Sequence, residues 1–184
     1  MKANSTAVWN AFPELKMVSN KEWAEKACAI WEYFWEKSAW DNLEDAAFSI
    51  LGKIPVTLVM HTQCVVKGAI RLADTLEEVQ HEKIDRDVLI IGAILHDASK
   101  IVEYCPGEDG VARITREGEF HQHSFMAAAK AWEMGLPDEI VNIILCHSNL
   151  TSAKLVTIEG LLVKCADSAS GHAALGAYDG YSGH

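Results

Sequence analysis

His61, His96, Asp97, His147 and Asp167, with one or other of His121 and His123, fall on apolar faces or at the ends of segments with helical period. No solvent-facing side is expected there. Imidazole and carboxylate groups are poor candidates for burial, and each needs a partner if it is to leave water. Any one alone reads as a hydrogen-bonded core residue, and Asp167 as a partner of Lys164. Four imidazoles and two carboxylates together are better explained by a shared cation, which satisfies several of them at once. The chemistry this implies is metal-assisted. A bound water loses its proton near neutral pH and a phosphoryl or carbonyl oxygen is polarised, so no nucleophilic side chain is required. His81 and His184 sit in polar or terminal sequence and read as solvated, and His172 lies near the pocket or on the surface.

Helices must hold these groups. From Trp23 to Lys37 apolar residues recur every three or four positions, which predicts an amphipathic helix. A second is expected from Asn42 to Leu51, broken by Gly52 and Pro55, and a third from Val56 to Val79. The fourth, from a capping Asp87 to Leu95, is apolar on all sides and therefore central. Cys105 to Phe120, rich in Pro, Gly and acidic residues, reads as a loop with a short extended piece. Helices resume over His121 to Met134, Asp138 to His147 and Leu155 to Leu175. The pattern is an all-α, single-domain helical bundle of six to seven helices. Residues 1–55 form aromatic-rich helices packed on a core of 56–175, and 176–184 form a frayed tail.

The 184 residues carry a net charge of -10, which argues against a nucleic-acid partner, because phosphate backbones are bound through surplus Lys and Arg. No apolar run approaches the roughly 18 residues of a membrane span, and the N-terminus lacks the apolar stretch of a signal peptide. A soluble, cytoplasmic protein is expected. Five scattered cysteines without a CxxC pair fit reduced thiols. Six tryptophans, at 9, 23, 31, 35, 40 and 132, are expected in the core or in a homo-oligomer contact, the alternative being an aromatic pocket for a small organic substrate.

The ordered set His61 in VMHTQCVV, His96-Asp97 in LHDASK, His123 in QHSFMAAA, His147 in LCHS and Asp167 in KCADSAS resembles the HD-domain superfamily of metal-dependent phosphohydrolases. The resemblance spans about Val56 to Leu175 and implies an all-α bundle. It also implies two divalent ions bridged by Asp97, with His61, His96 and Asp167 on one and His123 and His147 on the other. Iron or manganese is favoured, while zinc, cobalt and nickel suit the same donors. His123 fits the family pattern better than His121, which is left to contact substrate or solvent. Lys100, a position where the family often carries lysine, would neutralise substrate charge or hold the hydroxide, which makes Asp97 and Lys100 the expected catalytic pair.

The expected activity is hydrolysis of a small phosphoester, with Lys67 and Arg71, two and three turns after His61, as candidate phosphate contacts. A mixed-valent di-iron oxygenase and a hydrolase of a ring ketone or amide are the alternatives that the same ligands permit. The stretch after His123 lacks the GYP element of the cyclic-dinucleotide branch.

Overall fold

The structure is a computed structural model that describes residues 3–52, 54–148 and 152–176. His184 and the rest of the expected tail after Gly176 lie outside the described residues. The chain runs α1 (Ser5–Ala11), α2 (Lys21–Lys37), α3 (Leu58–Gln80), α4 (Arg86–Leu95), α5 (Lys100–Glu103), β1 (Tyr104–Cys105), β2 (Arg113–Ile114), α6 (Arg116–Phe120), α7 (His123–Glu133), α8 (Asp138–Cys146) and α9 (Ile158–Leu175). The fold is all-α apart from the antiparallel β1–β2 hairpin. No helix among the described residues is long and apolar enough to cross a membrane.

The all-round apolar sequence of α4 has the predicted consequence: every residue from Val88 to Leu95 is buried, and α4 packs against α2, α3, α8 and α9. Two glycines let these helices come close. A Cβ on Gly92 would lie 2.8 Å from Ile143 Cδ1 of α8, and one on Gly68 would lie 3.2 Å from Ala166 Cβ of α9. Gly92 stands one turn before His96 and Ile143 one turn before His147, so this contact sets how near the two histidines come. Tryptophans mostly fill the core. Trp31 is fully buried and donates to Ile94 O of α4 at 3.0 Å, while Trp35 and Trp40 donate to the carbonyls of Trp40 and Tyr104. Trp132 lies outside the core and is 70% exposed on α7.

Four expectations are corrected, the first being the loop expected over Cys105 to Phe120, whose last five residues form the helix α6, capped by Thr115. Asn42 to Leu51 is not a helix: it contains one 3₁₀ turn, Leu43–Asp45, and then an irregular segment held by Leu58 N donating to Ala46 O and by an Ala47–Thr57 bridge. Helix propensity loses there because Phe48 is drawn in to stack on His61. The segment Ser5–Ala11, which the periodicity missed, is a short helix capped by Asn4. The cap of α4 is Asp85, whose carboxylate accepts from the amides of Asp87 and Val88.

Asp87 instead accepts from Ser19 N, Ser19 Oγ and Asn20 N, and so joins the start of α2 to the start of α4. Burial opposes its ionised form, but the hydrogen bonds from Ser19 and Asn20 outweigh it and hold its carboxyl below the ordinary value. A folded-state value below the unfolded one means the stabilisation is present above the ordinary carboxylate range and is lost as pH falls through the folded value. Asp87→Ala is expected to cost about 1–2 kcal/mol at neutral pH, at the low end because the group is largely solvated. Thermal melts of the two chains should converge as the pH drops below that range.

Candidate metal centre

His61 stands in the first turns of α3, and Asp167 projects from α9, which packs along α3. His61 Nε2 lies 3.1 Å from Asp167 Oδ1, 3.4 Å from Asp97 Oδ2 and 3.3 Å from His96 Nε2. His96 Nε2 is 3.5 Å from Asp97 Oδ2 and 3.8 Å from Asp167 Oδ1. On the other side of the same carboxylate, Asp97 Oδ1 is 3.3 Å from His123 Nε2 and 3.4 Å from His147 Nε2. Asp97 thus has one oxygen in each of two donor groups: His61, His96, Asp97 and Asp167, and Asp97, His123 and His147. The six residues read as ligands in the sequence come together.

The imidazoles are oriented from behind. His96 and His147 follow the last residues of α4 and α8, where carbonyls lack intrahelical partners. Their Nδ1–H groups donate to Ala93 O at 2.6 Å and Ile144 O at 2.8 Å, three residues back in each case. His123 Nδ1 pairs with Glu103 Oε2 at 3.0 Å, and His61 Nδ1 lies 3.0 Å from Ser170 Oγ, one turn beyond Asp167 on α9. A proton fixed on Nδ1 leaves the Nε2 lone pair facing inward. Ser99 Oγ donates to His123 O at 2.6 Å, tying the start of α7 to the turn that carries Asp97.

Lone pairs then crowd one small volume, and among the described residues the cationic side chain that enters it is Lys100, whose Nζ is 2.8 Å from Asp97 Oδ2. Asp97 Oδ1 is buried and receives no hydrogen bond. Burial alone would raise the Asp97 carboxyl, but the Lys100 ammonium, with His96 and His123 beside it, outweighs burial and holds it well below the usual range. Burial likewise lowers and the Asp167 and Asp97 carboxylates raise the His61 imidazole, with a net upward shift. An unpartnered carboxylate oxygen among inward-facing imidazole nitrogens fits a divalent cation. Imidazole with carboxylate suits first-row ions.

Asp97, His61 and His96 form the fully buried floor, whereas the Asp167 side chain is 21% and that of Lys100 14% exposed. The cluster therefore meets solvent along Asp167 and Lys100. The Phe48 ring stacks on His61 with centroids 4.2 Å apart and lies 4.9 Å below Lys100 Nζ. It also walls a cavity of about 310 Å³ bounded by Trp40, Ala47, Val56, Pro106 and Ala112.

Other expected contacts are not brought to the cluster. Lys67 and Arg71 are exposed, and the helical rise carries them about 9 and about 15 Å along α3 from His61. His121 follows α6, is exposed, and edges a separate groove of about 750 Å³ with Tyr33, Lys37, Phe125 and Lys130 that none of the cluster residues lines. His81 is exposed in the left-handed turn ending α3, and exposed His172 bonds to Ser168 O. Sequence reasoning missed Glu103, Ser170 and Phe48. Glu103 alone left a trace, as an acidic residue close after Asp97 at the end of a mostly apolar segment.

Residues 58–171 match the family described as the HD domain. A protein of Methanocaldococcus jannaschii named dihydroneopterin 2′,3′-cyclic phosphate phosphodiesterase is 34% identical over 114 residues, 61% of this chain and 45% of that protein. The chain thus aligns with less than half the length of this curated relative. No solved structure matches the chain.

Proposed function

Because the chain belongs to the HD-domain family, matched over residues 58–171, we propose that it is a metal-dependent phosphohydrolase that cleaves a small phosphoester at a binuclear centre. The observation that carries this reading is Asp97, whose two oxygens are divided between two sets of imidazoles while Oδ1 lacks a donor. His61, His96, Asp97 Oδ2 and Asp167 would hold one ion, and Asp97 Oδ1, His123 and His147 the other, iron or manganese being favoured. Bound there, such ions supply an activated water and polarise phosphoryl oxygens.

The chain's own groups do the rest. Lys100, partly exposed and beside the first set, offers a positive N–H donor to a phosphoryl oxygen at the solvent edge. Phe48 and the cavity behind it suit an apolar or aromatic ring on the substrate. The relative's name supports the bond class, a cyclic phosphodiester, and we extend only that class to this chain.

The test is metal analysis of protein purified without oxygen, together with hydrolysis of 2′,3′-cyclic phosphodiesters before and after chelation. The expected result is two ions per chain and hydrolysis that chelator removes and metal restores. Two irons with a mixed-valence resonance and oxygen-dependent turnover would establish an oxygenase instead.

A further inference from the structure

His123 differs from the two histidines that orient themselves. His96 and His147 follow helix ends and use a carbonyl three residues back, but His123 opens α7 after extended backbone at His121 and Gln122, which separates it from the last turn of α6. Its ring must be aimed from elsewhere in the chain. The group that does so is the Glu103 carboxylate, 3.0 Å from Nδ1, on a side chain only 12% exposed.

Glu103 is itself clamped. Its carbonyl accepts from Thr115 N at 2.9 Å, Thr115 Oγ1 donates to Val102 O at 2.7 Å, and Gly118 N donates to that same hydroxyl at 3.1 Å. A Cβ on Gly118 would lie 2.6 Å from Glu103 O and 2.7 Å from Glu103 Cγ, so α6 can seat against Glu103 only because residue 118 is glycine. Ser99 holds the His123 backbone while Glu103 holds its ring, and both belong to the short segment that follows Asp97.

We propose that Glu103 is the positioning residue of the second subsite: it fixes the proton on His123 Nδ1, aims Nε2 at Asp97 Oδ1, and lends that nitrogen the donor strength to hold the second ion. This rests on the two-ion reading above. The hairpin and α6, which carry no ligand, act through Glu103 as the support of that subsite. The other group, His61, His96, Asp97 and Asp167, makes no use of it.

The experiment is titration of the full, metal-stripped chain with Mn²⁺, followed by electron paramagnetic resonance and calorimetry, on the wild type, Glu103→Ala and Glu103→Gln. The wild type is expected to take two ions. Glu103→Ala should keep the first affinity and lose about 10- to 100-fold on the second. Glu103→Gln, whose amide oxygen still accepts from Nδ1–H, should stay within a few-fold of wild type. This rescue separates aiming the ring from merely filling space. If the alanine chain fails to fold, Glu103→Leu, which fills the site without accepting, carries the same expectation. Two unchanged affinities in a folded alanine or leucine variant would overturn the inference, and so would a glutamine variant as weak as alanine. A wild-type chain that takes a single ion would overturn the two-ion reading and this inference with it.

Discussion

Asp97→Ala is expected to leave the chain without either ion and without measurable turnover. The loss is double because a single carboxylate serves both donor groups, one oxygen to each, so neither group keeps its set when the residue is truncated. Stability of the metal-free chain should fall too. Asp97 is the partner of Lys100, and breaking a buried pair by removing one member costs about 3–5 kcal/mol. Asp97→Asn keeps the volume and the fold better and isolates the effect on metal. Plasma mass spectrometry of both variants, with His81→Ala as a control on an exposed imidazole at the other end of α3 from His61, decides the matter. Retention of two ions by Asp97→Ala would show that the carboxylate does not bridge.

Lys100→Met is expected to have the converse signature: metal content near wild type and kcat lower by about 10²–10³-fold, the scale for loss of one donor to developing charge. The ammonium touches Asp97 Oδ2, and its side chain, like that of Asp167, is partly exposed at the solvent edge of the cluster. Burial opposes its charge, yet Asp97 outweighs burial and shifts its pKa upward in the metal-free chain. Methionine keeps the apolar stem over Phe48 and removes only the charge. Unaltered kcat in a fully metallated Lys100→Met chain would reduce Lys100 to a structural partner of Asp97.

The donor set was legible in the sequence because its members violate local pattern. His96 and Asp97 end a segment that is otherwise apolar on every side, and an ordered series of such violations has few explanations. The long helices were legible for the complementary reason, since α2, α3 and α9 carry their apolar residues with helical period. What escaped was set by contacts between remote segments. Ser170 looks like an ordinary polar residue, and Glu103 shows only as an acidic residue close after Asp97, until the chain brings them behind His61 and His123. Phe48 looked like part of a helix because periodicity does not register a ring drawn onto an imidazole. Asp85 and Asp87 are equivalent as capping residues in sequence, and only the neighbouring Ser19 and Asn20 amides separate their roles. Lys67 and Arg71 are not brought to the donor cluster, because both are exposed and the helical rise carries them about 9 and about 15 Å along α3 from His61.

The donors are also divided along the chain at the β1–β2 hairpin. His61, His96 and Asp97 precede it, while His123, His147 and Asp167 follow. Neither half holds a complete set of either kind. No single helix brings more than two of the donors, His96 and Asp97 after α4, so a complete set forms only when the two halves have docked. A cation bound here is therefore a gauge of tertiary order, not of helix content. In a swollen, helical state with loosened packing, circular dichroism would remain while metal release marked the moment the halves parted.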